Sequence, residues 1–377
     1  MGQGVCSRGG RVLAAVKGEP VLAISALCAA ASMLLNPPSA EYLGFVDVRV
    51  LVLLFCLMAV VAGLQGCGVF AVLAQKLLRG ERSLPLLSLA LVLLPFFSAM
   101  LVTNDVALIT FVPFAILVLN LIGRQERLAY LVVLQTLAAN LGSMATPVGN
   151  PQNLYLYARY SLSAGDFFAA MIPLTVISLI GLAAAALLVR RETIRVSFPE
   201  PAQLRRPGCA AALGGLFVVC LLCVFHVIGH WVLLAIVLAA VLVLDRSLLR
   251  RVDYALLLTF VCFFIFAGNI GANPTLRGWI TGVLAQNTAL TAGAASQIIS
   301  NVPAAVLLSG FTQDWRGLLI GANLGGLGTP IASLASLISL RFYCKVPGAR
   351  PGRYLALFTL ANVAGLAVLT LCAWLLG

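Results

Sequence analysis

The sequence predicts an all-α polytopic membrane protein built from two inverted repeats, each with a hairpin and an interrupted transmembrane helix. Three observations carry the prediction. Apolar residues make up 62% of the 377 and charged residues only 10%, too little charge for a soluble surface. A stretch dense in Gly, Pro, Asn, Ser and Thr at 139–153, ANLGSMATPVGNPQN, lies inside an apolar run and returns at 322–330 as ANLGGLGTP. The basic residues fall almost wholly on one side when the apolar runs are threaded in order.

Mean hydropathy is +1.06, and several runs approach or exceed the roughly 20 apolar residues that cross a bilayer. A net charge of +12 would suit nucleic acid only if it lay on one soluble face. Here it is divided among short segments between apolar runs, so no nucleic-acid partner is expected; the bilayer is the partner. The ten Cys are scattered. Cys220 and Cys223 form a CxxC inside an apolar helix with no second pair, which argues against metal or redox chemistry.

The first repeat is placed at 1–189. Its apolar segment at 20–36 follows Arg8, Arg11 and Lys17 and is read as a retained first span rather than a cleaved signal. A run at 48–75 comes next. Segment 84–122 is too long for one crossing and carries Thr103-Asn104-Asp105 at its middle, so it folds as a hairpin with that triplet at the tip. The broken helix follows at 128–157 and a full span at 166–189. A basic, Pro-containing linker and one inverting helix occupy 190–230. The second repeat, 231–377, has its hairpin at 278–311 with Ser300-Asn301 at the tip, its broken helix at 317–340 and a last span at 354–376. Val46-Asp47 and Val252-Asp253 open matching apolar runs.

With a cytoplasmic N-terminus, 20 of the 24 Lys and Arg lie inside; only Arg49, Arg159, Arg277 and Arg316 fall outside. Both flanks of the first hairpin are then cytoplasmic, while the second hairpin opens outward. The unpaired helix at 209–229 is what turns the second half over. The C-terminus is expected outside, in an inner or plasma membrane.

The candidate site follows from the breaks. Hydrocarbon-embedded backbone must be bonded internally, so interrupted helices are tolerated only where they are buried or line a cavity, and matched pairs of them point to a transporter's binding site. Aligned, Asn140, Gly142, Thr146 and Pro147 become Asn323, Gly325, Thr329 and Pro330. The glycines permit close approach, the prolines free carbonyls upstream, and Thr146, Asn150 and Asn153 are set to face a ligand opposite Thr329 and Ser333. The simpler reading of either copy alone is a Pro kink with Gly for helix packing. Thr103, Asn104, Ser300 and Asn301 supply hydroxyls, amides and free backbone groups at the tips, where turn chemistry is the alternative. Asp105 is the one carboxylate placed within the membrane, a functional candidate by default, although Asp also caps helices well. Its counterpart is Val302. His226 and His230 stand four apart near the outer end of the 209–229 helix, without a third metal ligand nearby. Nothing resembles a Walker motif, so the chain is expected to be neither an ATP-driven pump nor an enzyme.

At these motifs the chain resembles the ion transporter superfamily: citrate transporters, divalent anion/sodium symporters, arsenite permeases and related sodium/proton antiporters. Ser300-Asn301 is similar to the start of the symporters' Ser-Asn-Thr tip motif, with Thr103-Asn104 as its first-half counterpart. Residues 146–153, TPVGNPQN, resemble their unwound region. Two departures stand out: Asp105 and Val302 occupy the third tip position, and no Pro-x-Asn follows Thr329-Pro330. The Asn104-Asp105 pair is closer to the arsenite-permease and antiporter branch. The resemblance implies an elevator-type transporter in which hairpins and broken helices slide against a scaffold, often as a homodimer.

The expected function is secondary active transport of a small anion, a di- or tricarboxylate such as citrate, coupled to Na+ or H+ with no other cofactor. Substrate is expected at Thr103, Asn104, Thr146, Pro147, Asn150, Ser300, Asn301, Thr329 and Pro330. Ion coupling is assigned to Asp105, Asn104, Asn140, Gly142, Asn301, Asn323 and Gly325, with Na+ at Thr103, Asn104, Ser300 and Asn301. The rival expectations are an arsenite or antimonite efflux permease and a Na+/H+ antiporter.

Overall fold

The computed structural model describes residues 20–78, 80–189, 191–196, 198 and 201–376. Arg8, Arg11, Lys17, Arg79 and Arg190 of the charge argument lie outside the described residues.

The protein is an integral membrane protein made mostly of helix. Among the described residues six helices are long and apolar enough to span a bilayer: α3 (Val48–Gly66), α6 (Asn104–Leu121), α9 (Ala164–Leu187), α10 (Pro207–Val224), α12 (Tyr254–Ala272) and α18 (Pro351–Leu375). Helical backbone satisfies its own polar groups, which hydrocarbon demands. Large apolar side chains such as Leu360 and Ile180 therefore stand exposed on the outside of the bundle without cost.

One order of elements occurs twice. In the first pass α3 is followed by α4 (Val69–Leu78), a hairpin of α5 (Leu84–Ser98) and α6, a broken helix of α7 (Leu128–Ser143) and α8 (Pro151–Arg159), and α9. In the second, α12 is followed by α13 (Pro274–Gln286), a hairpin of α14 (Thr288–Ile299) and α15 (Asn301–Leu308), a broken helix of α16 (Trp315–Leu324) and α17 (Leu334–Cys344), and α18. The Val-Asp echo marks equivalent caps. The Asp47 carboxylate accepts the Val50 N–H at 3.1 Å, and Asp253 accepts that of Leu256 at 2.9 Å. Two short helices complete the description at the start, α1 (Pro20–Ser32) and α2 (Tyr42–Phe45), and α11 (His230–Leu244) lies between α10 and α12. Helix α1 packs on α12, whereas α10 and α11 pack on α3.

Three expectations need adjustment. The chain is not wholly α: β1 (Gly80–Ser83) pairs antiparallel with β2 (Thr193–Val196), joining two polar connections whose backbone groups have no helix to satisfy them. The second hairpin is shorter than 278–311. Asn287 caps α14 by accepting the Leu290 N–H at 2.9 Å, and this splits off α13 as a separate helix capped by Asn273. The run at 48–75 is likewise divided, by Gly68 in the left-handed region at φ +80°.

Candidate functional site

The two breaks meet. Segment 144–150 separates α7 from α8, and segment 325–333 separates α16 from α17. Across them runs a reciprocal set of hydrogen bonds. From the first break, Asn150 donates its side-chain amide to Asn323 Oδ1 on α16 at 3.1 Å. From the second, Ser333 donates its hydroxyl to Asn140 Oδ1 on α7 at 3.2 Å. Asn140 and Asn323 are the aligned residues of the repeated motif, so each copy binds the break of the other.

The hairpin tips dock on the same breaks by equivalent bonds. The backbone N–H of Asn104 donates to Gly149 O at 3.2 Å, and that of Asn301 to Ala332 O at 3.0 Å. In both tips the Asn side-chain oxygen accepts the next N–H: Asp105 at 3.0 Å and Val302 at 2.9 Å. Thr146 donates its hydroxyl to Met100 O near the first tip, and Thr329 donates its own to Gln297 O near the second. These two threonines therefore clamp breaks to hairpins; their hydroxyl protons are not aimed at open space.

Local chemistry explains why the breaks hold. Asn150 is extended, caps α8 by accepting the Asn153 N–H at 2.8 Å, and is followed by Pro151 at the first helical position. The Asn153 amide lies 3.1 Å from Thr146 O and 3.4 Å from Met144 O, answering carbonyls that the broken helix leaves free. Gly142 is required by proximity, since a Cβ there would stand 2.1 Å from Phe96 O on the first hairpin. Gly325 is its counterpart, with a Cβ position 2.7 Å from the Ser296 side chain. Pro147 is buried and Pro330 half-buried beside an exposed Thr329.

At the centre, Asn104 donates to Asn140 Oδ1 at 3.0 Å, and Asn323 donates to Asn153 Oδ1 at 2.6 Å. The amide nitrogen of Asn140 is buried and has no hydrogen-bond partner among the described residues. A donor left this way costs about 1–3 kcal/mol, so the site presents one amide ready for an acceptor. Asp105 lies half-buried beside it at the start of α6, and its carboxylate makes no hydrogen bond or ion pair among the described residues. Thr103 is half-buried, and Ser300 and Asn301 are buried.

Some contributors were not foreseen from sequence. Gln297, three residues before the second tip, donates to Gly325 O and Leu327 O at 2.8 Å each and accepts the Thr329 N–H at 2.9 Å. A long amide side chain in an arm otherwise of small and apolar residues was the available signal. A cavity of about 710 Å³ also opens between the site-bearing elements and the helices beside them. Arg159 of α8 and Arg277 of α13 line it together with Glu41 and Asp47, and neither arginine forms an ion pair among the described residues. On its wall the hydroxyls of Tyr155 and Ser309 are 2.6 Å apart. Both arginines belong to the four that break the charge asymmetry. His226, by contrast, sits past the end of α10 at φ +64°, stacked on Tyr157 and against Arg49, so the two histidines do not share a helix face.

Comparison with known proteins follows the same lines. The sequence model of the citrate transporter family matches residues 12–313. An uncharacterised transporter of Methanocaldococcus jannaschii is 30% identical over 340 residues, covering 89% of this chain and 91% of that protein. Inner membrane protein YbiR of Escherichia coli is 32% identical over 308 residues, 78% and 80% of the two chains. A silicon efflux transporter of Oryza sativa subsp. japonica is 34% identical over 131 residues, 34% of this chain and 26% of that protein.

Proposed function

The chain belongs to the citrate transporter family, is a membrane transporter and not an enzyme, and from that premise we propose that it moves a small anion by secondary active transport coupled to Na+ or H+. The observation that carries the reading is the reciprocal bonding of Asn140 and Asn323 to the opposite breaks. It makes one polar centre out of two interrupted helices, the arrangement in which such transporters hold substrate and ion.

In this reading the substrate lies between Thr103-Asn104 and Ser300-Asn301, with the free amide of Asn140 as a donor. Asp105 supplies the coupling charge, as a Na+ ligand or a proton carrier, because a lone carboxylate at membrane depth costs several kcal/mol unless a cation or proton compensates it. Carbonyls released by the breaks are oxygen ligands suited to Na+. Arg159 and Arg277 line the cavity beside the site, which favours an anion over a neutral solute. A di- or tricarboxylate such as citrate fits that chemistry. The two passes of elements act as inverted repeats: hairpins and broken helices move together against the long helices, and a homodimer would form through the latter.

A second reading rests on the centre itself, where amides and hydroxyls gather without Lys or Arg. That donor set suits a neutral polyhydroxy solute such as arsenite, and one relative is a silicon efflux transporter. Exchange of Na+ for H+ at Asp105 alone is the third reading. Proteoliposome uptake with Na+ and pH gradients varied separately decides among them. Sodium- or proton-stimulated uptake of citrate or succinate supports the proposal; arsenite movement alone, or cation exchange without an anion, overturns it.

A further inference from the structure

Away from this site, a cleft of about 240 Å³ opens where α3 and α11 end and α10 begins. At about 30 Å³ per water, it has room for a phosphate group and a few waters. Three exposed arginines line it, Arg205, Arg206 and Arg251, with the single carboxylate of Asp245. That carboxylate is already engaged: Oδ1 accepts the Ser247 N–H at 2.9 Å, and Oδ2 lies 3.9 Å from Arg206 Nη1. Three positive charges on one cleft repel unless a counter-ion compensates them.

Basic residues at helix ends ordinarily set membrane orientation, but orientation does not require them to converge. Arg246 and Arg250, on the same short turn as Arg251, do not line the cleft. Two features of the backbone place the three that do. Arg206 occupies the left-handed region at φ +56°, ψ +69°, where a glycine would sit at lower cost. Gly66 leaves space for Arg251, whose Nη1 lies 2.5 Å from the position of a Cβ there. The Arg205 N–H fixes the connecting segment by donating to Cys67 O at 2.9 Å.

We infer that this cleft binds an anionic phosphate group, at the level where the headgroups of a bilayer lie. A basic pocket between membrane helices is the arrangement that holds anionic lipid headgroups, and arginine forks match phosphate geometry. Free phosphate presents the same chemistry, so the experiment separates the two sources.

Cys209 lines the cleft and is half-buried, which supplies a readout independent of transport. The full-length protein in detergent is treated with maleimide, and modification of Cys209 is followed by peptide mass spectrometry while ligand is titrated. Short-chain phosphatidylglycerol, short-chain phosphatidylcholine and inorganic phosphate are the probes. Protection by phosphatidylglycerol alone identifies a lipid headgroup site; protection by inorganic phosphate as well identifies a general phosphate site. In Arg206→Gln and Arg251→Gln the half-protecting concentration should rise at least about tenfold, as loss of a charge-assisted hydrogen bond implies. Arg246→Gln should leave it unchanged and controls for folding. Equal protection by phosphatidylcholine, no protection by any probe, or protection undiminished in both cleft variants overturns the inference.

Discussion

The two hairpins occupy equivalent places and are held in different ways. The first has arms of 15 and 18 residues, Leu84–Ser98 and Asn104–Leu121. It is wedged between α7 and α9, and the buried Gln135 amide ties its arms by donating to Leu91 O at 2.8 Å and Phe111 O at 3.4 Å. The second has arms of 12 and 8 residues, the first of them the small-residue sequence TALTAGAASQII. Its outer neighbour α18 lies over α7 and α9 instead of closing on α14, and a groove of about 880 Å³ runs between α14, α16 and α18. The arginine-lined cavity opens beside α15. The first hairpin thus has helices on two flanks, while the second is bordered by two cavities. Elements bordered by space open at lower cost, so backbone amides of the second hairpin are expected to exchange faster than those of the first.

The tips differ too. Thr103 has ordinary extended backbone at φ −64°, ψ 153°, whereas Ser300 stands at φ +74°, ψ 155°, a region that essentially only glycine adopts freely. The first tip carries Asp105 where the second carries Val302. The division is between a half-buried tip that carries a carboxylate and a buried one whose backbone is strained.

The most severe way to break the comparison is to remove its charge. Asp105→Asn should abolish gradient-driven accumulation in proteoliposomes while expression and thermal stability stay near wild type; undiminished coupled uptake would remove Asp105 from the mechanism. Packing is tested next by the paired glycines. Gly142→Ala forces a methyl against a backbone carbonyl of the tightly held hairpin and should cost about 3 kcal/mol. Gly325→Ala meets the Gly321 carbonyl and the Ser296 side chain, each at 2.7 Å against 2.1 Å for the Phe96 carbonyl at Gly142, and should cost less, about 1 kcal/mol. Thermal unfolding in detergent measures both, and equal losses would refute the difference in packing. Gln297→Ala deletes the three bonds that clasp the second break, about 2–4 kcal/mol in all. Hydrogen exchange should then accelerate at 325–333 and remain unchanged at 144–150. The smallest effect concerns the strained tip. Ser300→Gly relieves backbone strain but loses a weak hydroxyl bond to Ala332 O, for a net gain of up to about 1 kcal/mol. Thr103→Gly relieves nothing and should destabilise slightly, so the two midpoints should shift in opposite directions.

Much of this was legible in the chain. The apolar runs, the Val-Asp echo at 46–47 and 252–253 and the first hairpin follow from composition and spacing. The breaks at 144–150 and 325–333 follow from the cost of unpaired backbone in hydrocarbon. The boundaries of the second hairpin were not legible, because Asn287 reads as one more polar residue in a long weakly apolar segment until its capping bond is seen. The roles of the threonines were not legible either: Thr146 and Thr329 are ligand-type residues in a ligand-type motif, yet their hydroxyls hold hairpins.

What the sequence determined by itself is therefore the class of machine and the positions where its helices break, since both depend on neighbours along the chain. Only the tertiary structure decided which groups meet. Asn150 finds Asn323 and Ser333 finds Asn140 across 173 and 193 residues, and no local pattern encodes such a pairing. It decided as well that Arg159 and Arg277 share a cavity, and that one of two equivalent hairpins is bordered by cavities. These are properties of the space between elements, which depends on how every helix packs and not on the composition of any one of them.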